Sequence, residues 1–165
     1  MSWTIRPERP GDEAAIRALT QRAFLGLPYS DGDEADMIER LRSDDDLLLS
    51  LVAEDHRGII GQITYSRALL SNGEDGWMLI GPISVAPARQ REGIGRALIE
   101  AGEAAIREMG AKGITVLGDP QLYGRFGFAQ HTPLRLEGEL TEYFQVKSFG
   151  ADIPEATVSF APAFG

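Results

Sequence analysis

The feature that most constrains the fold is a strand, a glycine loop and a helix in direct succession over residues 77–110. The apolar run WMLIGPISVAP at 77–87 predicts a strand that is buried on both faces. Residues 94–110 carry apolar side chains at helical spacing and predict a long amphipathic helix. Gly93 and Gly95 lie between the two, so a buried strand must lead directly to the N-terminus of a helix.

The glycine loop is typical of an anion-binding site. The first N–H groups of a helix have no acceptor within the helix, and the helix dipole places partial positive charge there. Gly93 and Gly95 allow a bulky phosphate to approach the backbone, and Arg91 and Arg96 add positive charge. A simple strand-to-helix turn is the alternative that the pattern leaves open.

Two familiar phosphate-binding motifs do not fit this loop. A Walker-type loop ends in Gly-Lys-Ser/Thr, and that ending is absent from the sequence. The dinucleotide fingerprint requires a third small residue where this chain has Leu98. Pro87 also lengthens the connection beyond the tight turn of that motif. The anion site is therefore predicted to belong to another class.

The remaining pattern predicts one mixed α+β domain over residues 1–165, built on a single sheet. Strands are predicted at 2–8, 47–55, 58–70, 77–87, 113–119, 144–149 and 156–160. Helices are predicted at 12–24, 34–43 and 94–110, and a turn or short helix at 120–128. The order of these elements is β-α-α-β-β-β-α-β-(α)-β-β.

Composition excludes several classes of function. The chain has no cysteine, which excludes disulfides, thiolate catalysis and cysteine-based zinc sites. Its formal net charge of -9 argues against binding nucleic acid, which requires a basic surface. His56 and His131 are isolated, so no metal site is expected. No segment has the length and apolarity of a signal peptide core or a membrane span, so we expect a cytoplasmic protein.

The motifs of the chain resemble those of the GNAT superfamily of N-acetyltransferases. The acetyl-coenzyme A signature of that family, Gln/Arg-x-x-Gly-x-Gly/Ala, is matched by QREGIG at 90–95. Its later Tyr-x-x-x-Gly-Phe segment is matched at 123–128. The stretches DEADMIERLR, LGDPQLYGRFGF and VSFAPAFG are similar to one branch of bacterial N-acetyltransferases, so the resemblance spans nearly the whole chain.

The resemblance implies a mostly antiparallel sheet of six to seven strands, with a splay between the strands at 77–87 and 113–119. The pantetheine arm of acetyl-coenzyme A would pair with the free edge at 83–85, and the pyrophosphate would bind the loop at 90–96. Gly81-Pro82 predicts a bulge or a break in pairing, since proline cannot donate to a ladder; a simple kink at Pro82 is the alternative. The implied cofactor-binding residues are Ile83, Ser84, Val85, Gln90, Arg91, Glu92, Gly93, Ile94, Gly95 and Arg96.

The resemblance also implies an enzyme that transfers the acetyl group of acetyl-coenzyme A to a primary amine. The amine, from a small molecule or a peptide, would attack directly in a ternary complex, without a metal. The acidic charge of the chain is compatible with a cationic acceptor. The family also allows a homodimer. A non-catalytic acyl-coenzyme A sensor or binding module is the alternative function.

The catalytic residues are the least constrained part of this prediction. Tyr123 matches the family position of the general acid that protonates the leaving thiolate. Its alternative is a core aromatic whose hydroxyl bonds to backbone. Glu34 is a candidate base or a charge that steers the amine, and equally an acidic residue in the first turn of a helix. Glu54 and Asp119 are further candidate bases, although Asp119 before Pro120 is typical of a helix N-cap.

Overall fold

The structure is a computed structural model that describes residues 2–131, 133–138 and 141–165. The strands are β1 (Thr4–Pro7), β2 (Leu49–Asp55), β3 (Gly58–Leu70), β4 (Trp77–Val85), β5 (Gly113–Leu117), β6 (Leu134–Leu136), β7 (Phe144–Ser148) and β8 (Ala156–Phe160). The α-helices are α1 (Glu13–Phe24), α2 (Glu34–Ser43), α3 (Ile94–Glu108) and α4 (Pro120–Gly124).

The strands form one sheet, and most neighbours in it are antiparallel. The main order is β1-β2-β3-β4-β5-β7, with a parallel pair between β4 and β5. Strand β8 pairs with the far end of β3 and with β6. The predicted α+β class and mostly antiparallel sheet are confirmed. The described residues contain eight strands rather than six to seven, because the three-residue β6 is too short to show an alternating pattern.

Helix α3 packs against one face of the sheet through a stripe of buried side chains. Ile94, Leu98 and Ile106 are fully buried in the main hydrophobic core. Gly102 allows the helix to approach the sheet closely, because a Cβ there would lie 2.5 Å from the hydroxyl of Tyr65. This contact seats α3, and therefore its N-terminus, firmly on β3.

Strand β4 is bulged at Gly81-Pro82, as the sequence predicts. Ile63 of β3 lies opposite Ile83, whereas Tyr65, two residues further along β3, lies opposite Ile80. One residue of β3 therefore faces two residues of β4. Proline has no N–H to donate, so the ladder is interrupted where it occurs.

The same point marks the end of the pairing between β4 and β5. The parallel ladder runs from Trp77 opposite Gly113 to Ile80 opposite Val116 and goes no further. Beyond the bulge, residues 83–85 still pair with β3 on their other side. The edge of 83–85 that faces β5 is left without a strand partner, which is the predicted splay.

Candidate active site

The loop that joins β4 to α3 makes a compact turn before the helix begins. A 3-10 turn at Pro87–Arg89 is followed by Arg91 with φ 71° and Gly93 with φ 84°. Gly93 is the N-cap of α3, and its carbonyl accepts the N–H of Ala97 at 3.0 Å. The left-handed conformation at 93 explains one glycine of the motif, since other residues are strained there.

Gly95 has no comparable role in the fold. It lies within α3, and a Cβ at this position would meet Val85 Cγ2 at an ordinary 3.7 Å. Nor do the main-chain N–H groups of residues 91–96 donate a hydrogen bond to any acceptor in the described part of the chain. Bare backbone with unpartnered donors at a helix N-terminus suits an anion better than a simple turn.

The arginine side chains of the loop differ in the number of ion pairs that they form within the protein. Arg96 donates to Glu100 at 2.8 Å but remains 76% exposed. Arg91 is exposed and forms no ion pair within the described residues. Arg89, which sequence analysis did not select, pairs with both Asp55 and Glu92. Arg91 is therefore the loop cation that is most available to a bound anion.

The strand at 83–85 leads from the splay to this loop. The side chains of Ile83 and Val85 pack toward the core beneath α3. Ser84 is buried on the other face, where its hydroxyl donates to Thr20 Oγ1 at 3.4 Å. Gln90 Nε2 donates to the carbonyl of Val85 at 3.4 Å and ties the loop back to the strand.

Tyr123 is held beside the splay by packing rather than by hydrogen bonds. Its ring is buried against Gly118 and meets Phe128 edge to face, with ring centroids 5.7 Å apart. Its hydroxyl forms no hydrogen bond with the described residues. Burial raises the pKa of Tyr123 to about 12, and Tyr29 contributes in the same direction. Tyr123 is thus a core aromatic, as the alternative has it, but its hydroxyl does not bond to the backbone of the described residues.

Each candidate carboxylate already accepts a hydrogen bond or forms an ion pair within the protein. Glu34 accepts the hydroxyl of Ser30 on both oxygens, at 2.7 and 2.8 Å. Asp119 accepts the N–H of Gln121 at 2.9 Å and caps α4, as the Asp-Pro pattern indicates. Glu54 forms an ion pair with Arg6 at 2.9 Å, which lowers the pKa of Glu54. Glu34 and Asp119 have no cationic partner in the described chain, and Asp119 is already used as the cap of α4.

Tyr29 is a neighbour of the site that sequence analysis missed. It lies in the loop between α1 and α2, is 78% exposed, and adds to the rise in the pKa of Tyr123 that burial causes. A single aromatic residue in an irregular loop carries no periodic signal. His56 is exposed and His131 partly exposed. No group of three or more potential metal ligands occurs among the described residues.

No helix in the described ranges is long and apolar enough to cross a membrane. The cytoplasmic location stays a prediction.

Comparison with known proteins identifies the family. The family model of the acetyltransferase (GNAT) domain matches residues 47–130. YhbS, an uncharacterized N-acetyltransferase of Escherichia coli strain K12, is 37% identical over 152 residues, which cover 90% of this chain and 88% of YhbS. The chain belongs to the GNAT family of acetyltransferases, as the sequence motifs predict.

Two solved structures are similar over nearly the full chain. A GNAT family acetyltransferase from Brucella melitensis, solved in complex with acetyl-CoA, is 42% identical and superimposes with a TM-score of 0.89, covering 99% of both chains. Escherichia coli YhbS, solved in complex with CoA, is 34% identical with a TM-score of 0.87, covering 98% of this chain and 91% of the other.

Proposed function

We propose that this protein is an N-acetyltransferase that moves the acetyl group of acetyl-coenzyme A to an amine in a ternary complex. The observation that carries the proposal is the presence of two unpartnered stretches of main chain close together in the sequence. One is the free edge of 83–85 that faces β5, and the other is the set of N–H groups of 91–96. A cosubstrate with a peptide-like arm and a pyrophosphate matches this surface in order and in chemistry.

The residues present fit acetyl-coenzyme A. Residues 83–85 would pair with the amides of the pantetheine arm, as an added strand does. The N–H groups from Arg91 to Arg96 would bind the pyrophosphate at the positive end of α3. The similar proteins from Brucella melitensis and Escherichia coli, solved with acetyl-CoA and CoA, support the assignment. The bound cosubstrate would supply an activated acetyl thioester.

Tyr123 is the general acid in this proposal. When the amine forms its C–N bond and the C–S bond breaks, the sulfur leaves as a thiolate that gains from protonation. A phenol with a pKa of about 12 retains its proton across the physiological range. Its hydroxyl has no competing partner among the described residues, so it is free to donate to the sulfur.

The acceptor is an amine that arrives largely protonated. The formal net charge of -9 favours the approach of a cation. Glu34, whose carboxylate has no cationic partner in the described chain, either steers that cation or accepts its proton. The amine belongs to a small molecule or to a peptide.

A turnover assay distinguishes this function from that of a non-catalytic acyl-coenzyme A-binding module. The protein is incubated with acetyl-coenzyme A and a panel of amines: polyamines, amino acid derivatives, an aminoglycoside and peptide N-termini. Released thiol is measured together with the mass of each amine. We expect one acetylated amine for each thiol released. Tight binding of acetyl-coenzyme A without transfer to any member of the panel would favour the binding module.

A further inference from the structure

Arg89 connects Asp55, the last residue of β2, to the loop before α3. Its Nη1 donates to Asp55 Oδ2, while Nε and Nη2 donate to the two oxygens of Glu92 at 2.9 and 3.2 Å. Asp55 also accepts the N–H of Arg57 at 2.8 Å, and its side chain is only 4% exposed. A nearly buried carboxylate therefore holds one end of the guanidinium, and the loop holds the other.

This arrangement places two carboxylates next to the proposed anion site. Glu92 lies within the run of unpartnered N–H groups, and Asp55 is linked to it through their shared ion pairs with Arg89. An uncompensated carboxylate there would repel a pyrophosphate, because partly buried charges are poorly screened by salt. Arg89 pairs with both and offsets one of their two negative charges. Its side chain is 18% exposed and donates from all three nitrogens, which leaves it poorly placed to serve as a phosphate ligand itself.

We infer that Arg89 is a positioning residue for cofactor binding: it fixes the 90–96 loop to Asp55 and masks part of the charge of Glu92 and Asp55. The inference rests on the proposed function, since it concerns the same pyrophosphate. It assigns a role to a cation that lies one residue outside the family motif. It also separates Arg89, which acts through carboxylates, from Arg91, which is free to contact the ligand.

The test is calorimetric titration of acetyl-coenzyme A into four proteins: wild type, Arg89→Gln, Arg89→Gln/Glu92→Gln and Arg40→Gln. Arg89→Gln removes the one positive charge that pairs with the two carboxylates, and we expect its Kd to rise at least about tenfold. Glu92→Gln in that background removes one of the two charges and keeps the main-chain N–H. We expect the double variant to recover most of the lost affinity.

Arg40→Gln is the matched control. Arg40 is an ion-paired arginine on α2 whose partner, Asp44, lies outside the loop, so its loss should leave the Kd unchanged. Urea unfolding of each variant shows whether the fold is intact. If Arg89→Gln does not fold, Asp55→Asn replaces it; this variant keeps the shape of the side chain and breaks one ion pair. We expect Asp55→Asn to raise the Kd a few-fold.

Three different results would contradict the proposed function, the role of Arg89 and the masking of Glu92, respectively. A wild type that does not bind acetyl-coenzyme A overturns the proposed function itself. A wild type that binds, with an equal Kd for Arg89→Gln or for its Asp55→Asn substitute, overturns only the role of Arg89. A double variant as weak as Arg89→Gln overturns the masking of Glu92.

Discussion

The ring of Tyr123 lies directly against the main chain of Gly118, the residue that follows β5. A Cβ on residue 118 would lie 2.4 Å from Cε2 and 2.9 Å from Cδ2 of the tyrosine. The ring atoms cannot yield without moving the whole side chain, which is already packed against Phe128. Gly118 therefore sets the position of the phenol beside the splay.

We expect Gly118→Ala to displace Tyr123 and to lower the free energy of unfolding by about 1–3 kcal/mol, the usual cost of an overpacked core. Acetyl transfer should slow while acetyl-coenzyme A still binds. Gly124→Ala is the control, because a Cβ there meets nothing within 4 Å. Urea unfolding and turnover of the two variants check this. Equal behaviour of both would show that Gly118 does not position the ring.

The strand, glycine loop and helix were predictable because their signals are local. The apolar run of β4, the bulge at Gly81-Pro82 and the amphipathic stripe of α3 can each be identified within about fifteen residues. The splay follows from the bulge together with the family resemblance. Strand β6 was missed because three residues cannot show alternation.

The contacts that set the charges and side-chain positions at the site could not be predicted, because they join distant parts of the chain. Asp55 and Arg89 are 34 residues apart, and no pattern in the sequence pairs one carboxylate with one arginine. The hydroxyl of Tyr123 was assigned a role by resemblance, yet only the structure shows that it has no partner among the described residues. Tyr29 approaches it from a loop without periodicity.

The role of Gly95 in the loop can be tested by replacing it with larger residues. We expect Gly95→Val to weaken acetyl-coenzyme A binding by more than Arg91→Ala, because branched methyl groups would obstruct the pyrophosphate while Arg91 supplies only one exposed charge. Gly95→Ala is the matched variant. Its Cβ has room beside Val85, so the fold should stay intact. Calorimetry that shows wild-type affinity for Gly95→Val would remove the loop from the site.

Glu34 can be tested by removing its charge without changing its shape. We expect Glu34→Gln to lower kcat/KM for a cationic amine by about tenfold or more. If Glu34 is the base, the rate should recover as pH rises and more amine is neutral; if it steers the cation, the defect should lie in KM and fade at high salt. Glu39→Gln, on the same helix, is the control. Wild-type kinetics across the pH range would exclude Glu34.

We expect the stability of the fold in acid to depend on Asp12. Arg6 donates to both oxygens of Asp12, at 2.8 and 3.1 Å, and lowers the pKa of that buried carboxyl. A carboxyl whose pKa is lowered in the folded state stabilises the fold above its unfolded pKa of about 3.9, and this contribution is lost as pH falls through the folded pKa. We expect Asp12→Asn to reduce the free energy of unfolding at pH 7, and the difference from wild type to shrink below about pH 4.

Urea unfolding at several pH values measures that difference. Asp44→Asn is the control, because its ion pair with Arg40 is exposed and should contribute little. If the free energies of unfolding of Asp12→Asn and wild type differ by the same amount from pH 7 to pH 3, the ion pair does not cause the loss of stability in acid.

The most direct test of the claim that Tyr123 protonates the leaving thiolate is the rate at which Tyr123→Phe releases thiol. The variant keeps the ring, its contacts with Gly118 and Phe128, and the fold, since the hydroxyl has no partner to lose among the described residues. With chemistry limiting, we expect turnover to fall by roughly 10²- to 10⁴-fold, the usual contribution of a general acid, while the Kd for acetyl-coenzyme A stays within about twofold of wild type. Full turnover by Tyr123→Phe under the same conditions would show that Tyr123 only packs and that the leaving thiolate is protonated by another group.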